Sequence, residues 1–263
     1  MRFPRALVAA LAVALLVQTP AAPPADAATP RLVETFESPH WYQQWGLAQP
    51  PWHTALVPDA PGSSDTALRV TFAAGSFNGS SWSLPTGAAD TVTLDYRIRF
   101  GPTWRPMVGQ TGKLAGFGLP LRNPSGTCAE ACGLKPVRTG HYSARGGFDQ
   151  VNRVGSYLYT PTCGTTHRRV GSFVEWQPMP LLNERWYEVR ERITMNTPGT
   201  PDGRIQAWID DALVYDSGPA FCFRAADHPE VHVGTVWMEM YYGGKVPPPV
   251  DMWLDLDDVK VEY

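Results

Sequence analysis

From Thr91 to Phe100 the chain alternates without a fault: Val92, Leu94, Tyr96, Ile98 and Phe100 are apolar, and Thr91, Thr93, Asp95, Arg97 and Arg99 between them are polar. Side chains on a strand point to opposite faces in turn, so this is a strand with one dry face and one wet one. Trp186 to Met195 repeats the pattern, with Tyr187, Val189, Ile193 and Met195 inside and Glu188, Arg190, Arg192 and Thr194 outside; Glu191 alone interrupts the inner set. Nowhere does the chain sustain a helical stripe. Further strands are expected at 32–36, 68–72, 80–84, 231–242 and 252–262, and a hairpin joins 204–209 to 213–216 around Asp210-Asp211-Ala212. The loop holding Trp41, Trp45 and Trp52 follows the first strand. With 10 Trp, 10 Tyr, 10 Phe, 24 Gly and 26 Pro, the composition suits strands and turns better than helices. About a dozen strands joined by loops of mixed length predict an all-β fold: two antiparallel sheets face to face, a jelly roll whose concave sheet carries a groove.

Residues 1–27 read as a secretory signal peptide rather than as part of that fold. Arg2 and Arg5 precede an apolar run, Ala6 to Val17, too short to span a bilayer, and Ala25-Asp26-Ala27 offers a small-x-small cleavage site. Residues 28–263 are then expected to form a single jelly-roll domain, secreted and monomeric, with no membrane span. In an exported chain Cys128, Cys132, Cys163 and Cys222 default to two disulfides. Three pairings are open, and Cys128–Cys132 with Cys163–Cys222 is the expected one. Zinc fits less well, because a C-x3-C pair and two distant single cysteines have no histidine partner at finger spacing. A net charge of −3 with 18% charged residues argues against a nucleic-acid partner. An anionic ligand remains compatible if basic residues gather in one cleft.

Such a gathering is visible between Gly112 and Pro161. Ser143 and Arg145 lie two apart, as do Tyr157 and Tyr159, so each pair shares one face of its own strand. If the two strands pair antiparallel about Val151, Ser143 falls opposite Tyr159 and Arg145 opposite Tyr157. Lys113 joins them if its strand runs alongside. A solvated sheet face is the plain alternative, since tyrosine favours strands and Arg and Lys stems cover apolar surface. The chemistry matches something sharper. Arg and Lys pair with carboxylates, and a tyrosine flanked by cations can give or take a proton. Together they suit β-elimination across a 4-linked uronic acid, where the carboxylate must be neutralised before the C5 proton can leave. That chemistry needs no metal and no cofactor when the protein brings its own cations.

The ordered pieces GKLAGFG, SAR, YLYTP, DGRIQAWIDDALVY and MYYGG resemble polysaccharide lyase family 14, from Gly112 to the C-terminus. Family 20 glucuronan lyases are similar in style. The resemblance implies a β-jelly-roll lyase acting on alginate or glucuronan. The family's lysine in G-K-L-x-G matches Lys113, its S-x-R matches Ser143 and Arg145, and its Y-x-Y matches Tyr157 and Tyr159. On that footing Arg145 and Lys113 hold the uronate carboxylate with help from Ser143, while Tyr159, beside Tyr157, is the proton-transfer group. The chain departs from the family at Ala115-Gly116-Phe117-Gly118-Leu119, and at Gly146-Gly147 after S-x-R. The expected partner is an acidic polysaccharide. The competing reading is a carbohydrate-binding module without catalysis.

His141 shares the face of Ser143 and Lys245 follows Gly243-Gly244, which makes both candidates for substrate binding. A structural histidine and a plain turn are the bland alternatives. Asp255, Asp257 and Asp258 read as a solvated strand face rather than a metal or glycosidase cluster. No G-x-S-x-G elbow for a serine hydrolase occurs. Glu188 and Glu191 differ by three, which on a strand points them to opposite faces, unlike a glycosidase pair.

Overall fold

The computed structural model describes residues 30–105, 111–119, 142–161, 163 and 170–263. The expected leader 1–27, Cys128, Cys132 and His141 lie outside the described residues. One sheet has eight strands: β1 (Pro30–Glu34), β2 (Thr54–Pro58), β3 (Thr66–Phe72), β5 (Thr91–Phe100), β10 (Trp186–Thr194), β11 (Arg204–Ile209), β12 (Ala212–Asp216) and β14 (Met252–Glu262). The other has six: β4 (Asn78–Ala89), β6 (Gly112–Gly118), β7 (Ser143–Phe148), β8 (Val154–Thr160), β9 (Val170–Glu175) and β13 (Val233–Tyr241). The first runs in the order β12-β11-β10-β5-β14-β3-β2, with β1 also on β14; the second runs β4-β13-β6-β7-β8-β9. The result is the expected all-β jelly roll. Among the described residues no helix is long and apolar enough to cross a membrane.

The alternating strands meet as their patterns require. β5 and β10 pair antiparallel, with Val92 opposite Ile193, Tyr96 opposite Val189 and Ile98 opposite Tyr187, all buried between the sheets. Glu191 falls in the same buried row. Its carboxyl accepts a hydrogen bond from Ser156 Oγ on β8 at 2.9 Å, and Ser156 in turn accepts one from Trp176 Nε1 at 2.9 Å. The break in the apolar pattern is thus a polar link from one sheet to the other. Burial pushes the Glu191 carboxyl up to about 8, against the pull of the Ser156 hydrogen bond, so it is held as the neutral acid at neutral pH.

Several expectations need correction. β2 and β9 are strands that their short sequences did not announce, and the tryptophan-rich loop contains a turn of 3-10 helix, Trp41–Trp45. That turn drives Trp41 and Trp45 against Trp82, with ring centroids 5.6 and 5.9 Å away. Asp255 is not on a solvated face, for it is fully buried. In the ladder it stands opposite Arg69 on β3 and opposite Arg99 on β5, and both guanidinium groups bond it, at 2.8 and 2.7 Å. Arg69 itself lies 3.6 Å over the ring of Trp253. Arginine stems and indole rings therefore roof the carboxylate that alternation alone would leave wet.

Beneath the six-stranded sheet an aromatic cluster ties the two layers. Trp104 touches Phe72, Phe100 and Phe148 at centroid distances of 5.2, 4.7 and 5.2 Å. Phe148 closes β7, and its ring occupies the space that a Cβ on Gly112 would fill, at 2.0 Å. A glycine is required just before Lys113 for that reason. The expected Cys163–Cys222 disulfide is present, with Cα atoms 5.5 Å apart, and it tethers the segment after β8 to the loop after β12.

Candidate active site

β7 and β8 pair about the turn at Val151 with Ser143 opposite Tyr159 and Arg145 opposite Tyr157. β6 lies on the other side of β7, as the inclusion of Lys113 requires. Parity alone would not put Lys113 on the right face. Lys113 stands opposite Gly147 and Gly116 opposite Arg145, so three steps on β6 match two on β7. The extra residue is a bulge at Leu114-Ala115, and it lets Lys113 and Gly116 share the face of Arg145. β13 widens further, with Trp237 opposite Gly116 and Tyr241 opposite Lys113. Four steps there match three on β6.

This face, turned away from the other sheet, holds a cleft of about 630 Å³. Lys113, Tyr157, Tyr159, Phe173 and Tyr241 line it, with Asp149, Gln150 and the Gly243-Gly244 turn at the end of the sheet where β7 and β13 finish. Gly243 needs its left-handed φ of 71°, and a Cβ there would come within 2.5 Å of the Thr111 carbonyl oxygen. Lys245 is exposed next to that turn and is not part of the lining. Arg145 and Ser143 are buried below the floor.

Arg145 is enclosed on several sides. Its guanidinium lies 4.7 Å over the ring of Trp237 and 5.9 Å from the ring centre of Tyr159, and its Nη1 forms an ion pair with Glu239. Gly116, in the row between Trp237 and Arg145, has no side chain to keep them apart. Among the described residues, Arg145 Nε and Ser143 Oγ have no hydrogen-bond partner. Both donors are buried below the cleft floor.

Lys113 lies with its Nζ 4.7 Å over the ring of Tyr241. Burial, reinforced by the charge of Arg145 and opposed by that of Glu239, pushes its ammonium down to about 8. The hydroxyls of Tyr157 and Tyr159 are 3.0 Å apart and hydrogen-bonded. Burial, with the hydrogen bond and charge of Tyr159, pushes the Tyr157 phenol up to about 12, while Arg145 pulls it down. The arrangement therefore holds one amine that is readily neutral and, in Tyr157, a phenol that keeps its proton.

The sequence motifs do not single out Glu239, Trp237 or Phe173, and they include Tyr241 only within MYYGG. A signal for Trp237, Glu239 and Tyr241 existed: positions 237, 239 and 241 share one face of a strand already expected there. What alternation did not supply was the neighbouring strand.

The model of the family described as polysaccharide lyase 14 matches residues 60–249, well over half of the chain. The chain belongs to polysaccharide lyase family 14. Its lyase class follows from that membership, and its fold is shared with solved structures. The family 14 alginate lyase from Aplysia kurodai superposes with a TM-score of 0.66 at 18% identity, over 89% of this chain and 99% of that one. An alginate lyase from Chlorella virus gives 0.62 at 12%, over 80% and 88%. The endo-β-1,4-glucuronan lyase from Trichoderma reesei gives 0.60 at 13%, over 89% and 95%. At these identities the likeness is one of fold. No curated protein matches the sequence.

Proposed function

We propose that this family 14 member is a secreted lyase that cleaves a 4-linked polyuronate, of the alginate or glucuronan kind, by β-elimination and without a metal. The observation that carries the reading is the meeting of Lys113 with the Tyr157–Tyr159 pair in one cleft, above the buried donors of Arg145 and Ser143. Export is supported by the leader pattern at 1–27.

The roles follow from proton affinity. A phenolate base would need an uncompensated cation beside it, but the charge of Arg145 is offset by Glu239. Lys113, pushed down to about 8, is half neutral at mildly alkaline pH and is the base that takes the C5 proton. Electrons from the C5–H bond form the C4–C5 double bond, and the C4–O4 bond breaks. Charge developing on the carboxylate is met by the new Lys113 ammonium and by the donors of Arg145 and Ser143. In the tyrosine pair one hydroxyl donates to the other, which leaves the second proton free to go to the departing O4. Lys113 then returns its proton to the tyrosinate, directly or through water. No step calls for an added cofactor.

The test is incubation of the mature protein with polymannuronate, polyguluronate and polyglucuronate, in chelator, following the ultraviolet absorbance of the new double bond. A rise on at least one polymer is expected. Binding without any rise would replace the lyase by a carbohydrate-binding module, and activity that vanishes in chelator and returns with calcium would remove the metal-free mechanism.

A further inference from the structure

Glu239 is the one acidic side chain on the cleft face of β13, between Trp237 and Tyr241, and it faces the bulge on β6. An acid there runs against simple expectation, because a cleft for a polyanion gains nothing from its own carboxylate. Yet the side chain of Glu239 is only 15% exposed and is spent on Arg145, whose side chain is 3% exposed. We propose that Glu239 is a positioning residue of the lyase reaction: its carboxylate holds the Arg145 guanidinium against Tyr159 and Trp237 and offsets that cation's charge beside Lys113. This rests on the assignment of Lys113 as the base.

The strand register and the charge arrangement both support it. The bulge leaves no β6 residue directly opposite Glu239, and Gly116 has no side chain, so Arg145 can reach across β6 to Glu239. Removing Glu239 would leave a nearly buried guanidinium without its ion pair, a costly state that its surroundings would relax to relieve. The charged and titratable groups around Lys113 are Arg145 on β7, Glu239 and Tyr241 on β13, Tyr157 and Tyr159 on β8, and Asp149 beyond β7. Asp149 is already paired with Arg153. Of this set, Arg145 favours the neutral amine and Glu239 the ammonium. The two are bonded to each other, so the lysine feels them as a balanced pair.

The substitution Glu239→Gln keeps a hydrogen-bond acceptor for Arg145 and removes the charge. With Arg145 unopposed, Lys113 should lose its proton more easily. The acidic limb of the kcat/KM profile should move about half a pH unit or more toward lower pH, which is about a threefold gain in neutral amine at a fixed pH below the limb. Glu239→Asp, which keeps the charge, should return the limb toward the native position. A second readout needs no turnover: competitive acetylation of Lys113 across pH, read by mass spectrometry on the folded protein without substrate, should titrate lower in Glu239→Gln by the same amount. Unchanged Lys113 titration in the folded Glu239→Gln protein overturns the inference, whatever the activity. A shifted titration with no lyase activity in the native protein would instead retire the proposed lyase reaction, and the positioning role with it, leaving only the charge relation between Glu239, Arg145 and Lys113.

Discussion

Tyr157 and Tyr159 hydrogen-bond to each other through their hydroxyls, 3.0 Å apart, although both rings rise from one strand. The rings stand nearly perpendicular, at 83°, with centroids 5.1 Å apart. The bond uses one of the two protons, so the phenols act as a unit rather than as two interchangeable acids. Replacing the one that donates to O4 should lower kcat by about 10²–10⁴-fold, and replacing its partner by less, with KM little changed in either case. Kinetics of Tyr157→Phe and Tyr159→Phe side by side, on protein shown to be folded by circular dichroism, decide which is which. Near-native turnover in both would reduce the pair to sheet decoration.

Activity should climb with pH through about 8, because the lysine works only as the free amine and its ammonium is pushed down to about 8. Lys113→Arg keeps the charge but cannot be deprotonated in this range, so it should bind polymer and turn over at least about 10²-fold more slowly. Measuring kcat/KM from about pH 6 to about pH 10 checks both statements. A flat native profile would contradict the first, and near-native turnover of Lys113→Arg the second.

Stability carries its own pH signature at Glu191, whose carboxyl is raised from the ordinary 4.5 to about 8. A raised folded value means that the folded state holds a proton which the unfolded state releases. The contribution is therefore fully present below about 4.5 and falls away as pH rises toward about 8. Glu191→Gln keeps an acceptor for Ser156 and has nothing to ionise. Its Tm relative to the native protein should rise steadily between these limits, and a constant difference would argue against the neutral acid.

The Cys163–Cys222 bridge spans 59 residues of sequence. In the chain-entropy picture a loop of that length is worth about 4 kcal/mol, within the usual range of about 2–5 kcal/mol. The double substitution Cys163→Ser, Cys222→Ser should lower the denaturation midpoint accordingly and steepen the transition, because the unfolded chain without its cross-link exposes more surface. A loss under about 1 kcal/mol would mean the unfolded chain is already restrained there.

Much of this architecture could be read before any coordinates. The pairing of Ser143 with Tyr159 and of Arg145 with Tyr157 follows from parity about Val151, which does sit exposed at the turn. The dry faces of β5 and β10 follow from alternation alone. What escaped depends on who lies beside whom. Glu239 reaches Arg145 from a strand 94 residues further on, and strand periodicity names a face, not a neighbour. Asp255 has the same periodic position as a wet residue and becomes buried only because Arg69 and Arg99 flank it from two other strands. β2 (TALVP) and β9 (VGSFVE) carry no clean apolar–polar alternation.

The bulge at Leu114-Ala115 makes reading frame part of the chemistry. Deleting one residue there would restore a regular ladder to β7 and swing the amine of Lys113 from the cleft toward the apolar layer, with every functional residue still present. Substitution scans would miss this sensitivity, since neither Leu114 nor Ala115 touches the cleft. A library of single-residue deletions along β6 should therefore show a sharp loss of turnover at two positions whose side chains have no part in the reaction.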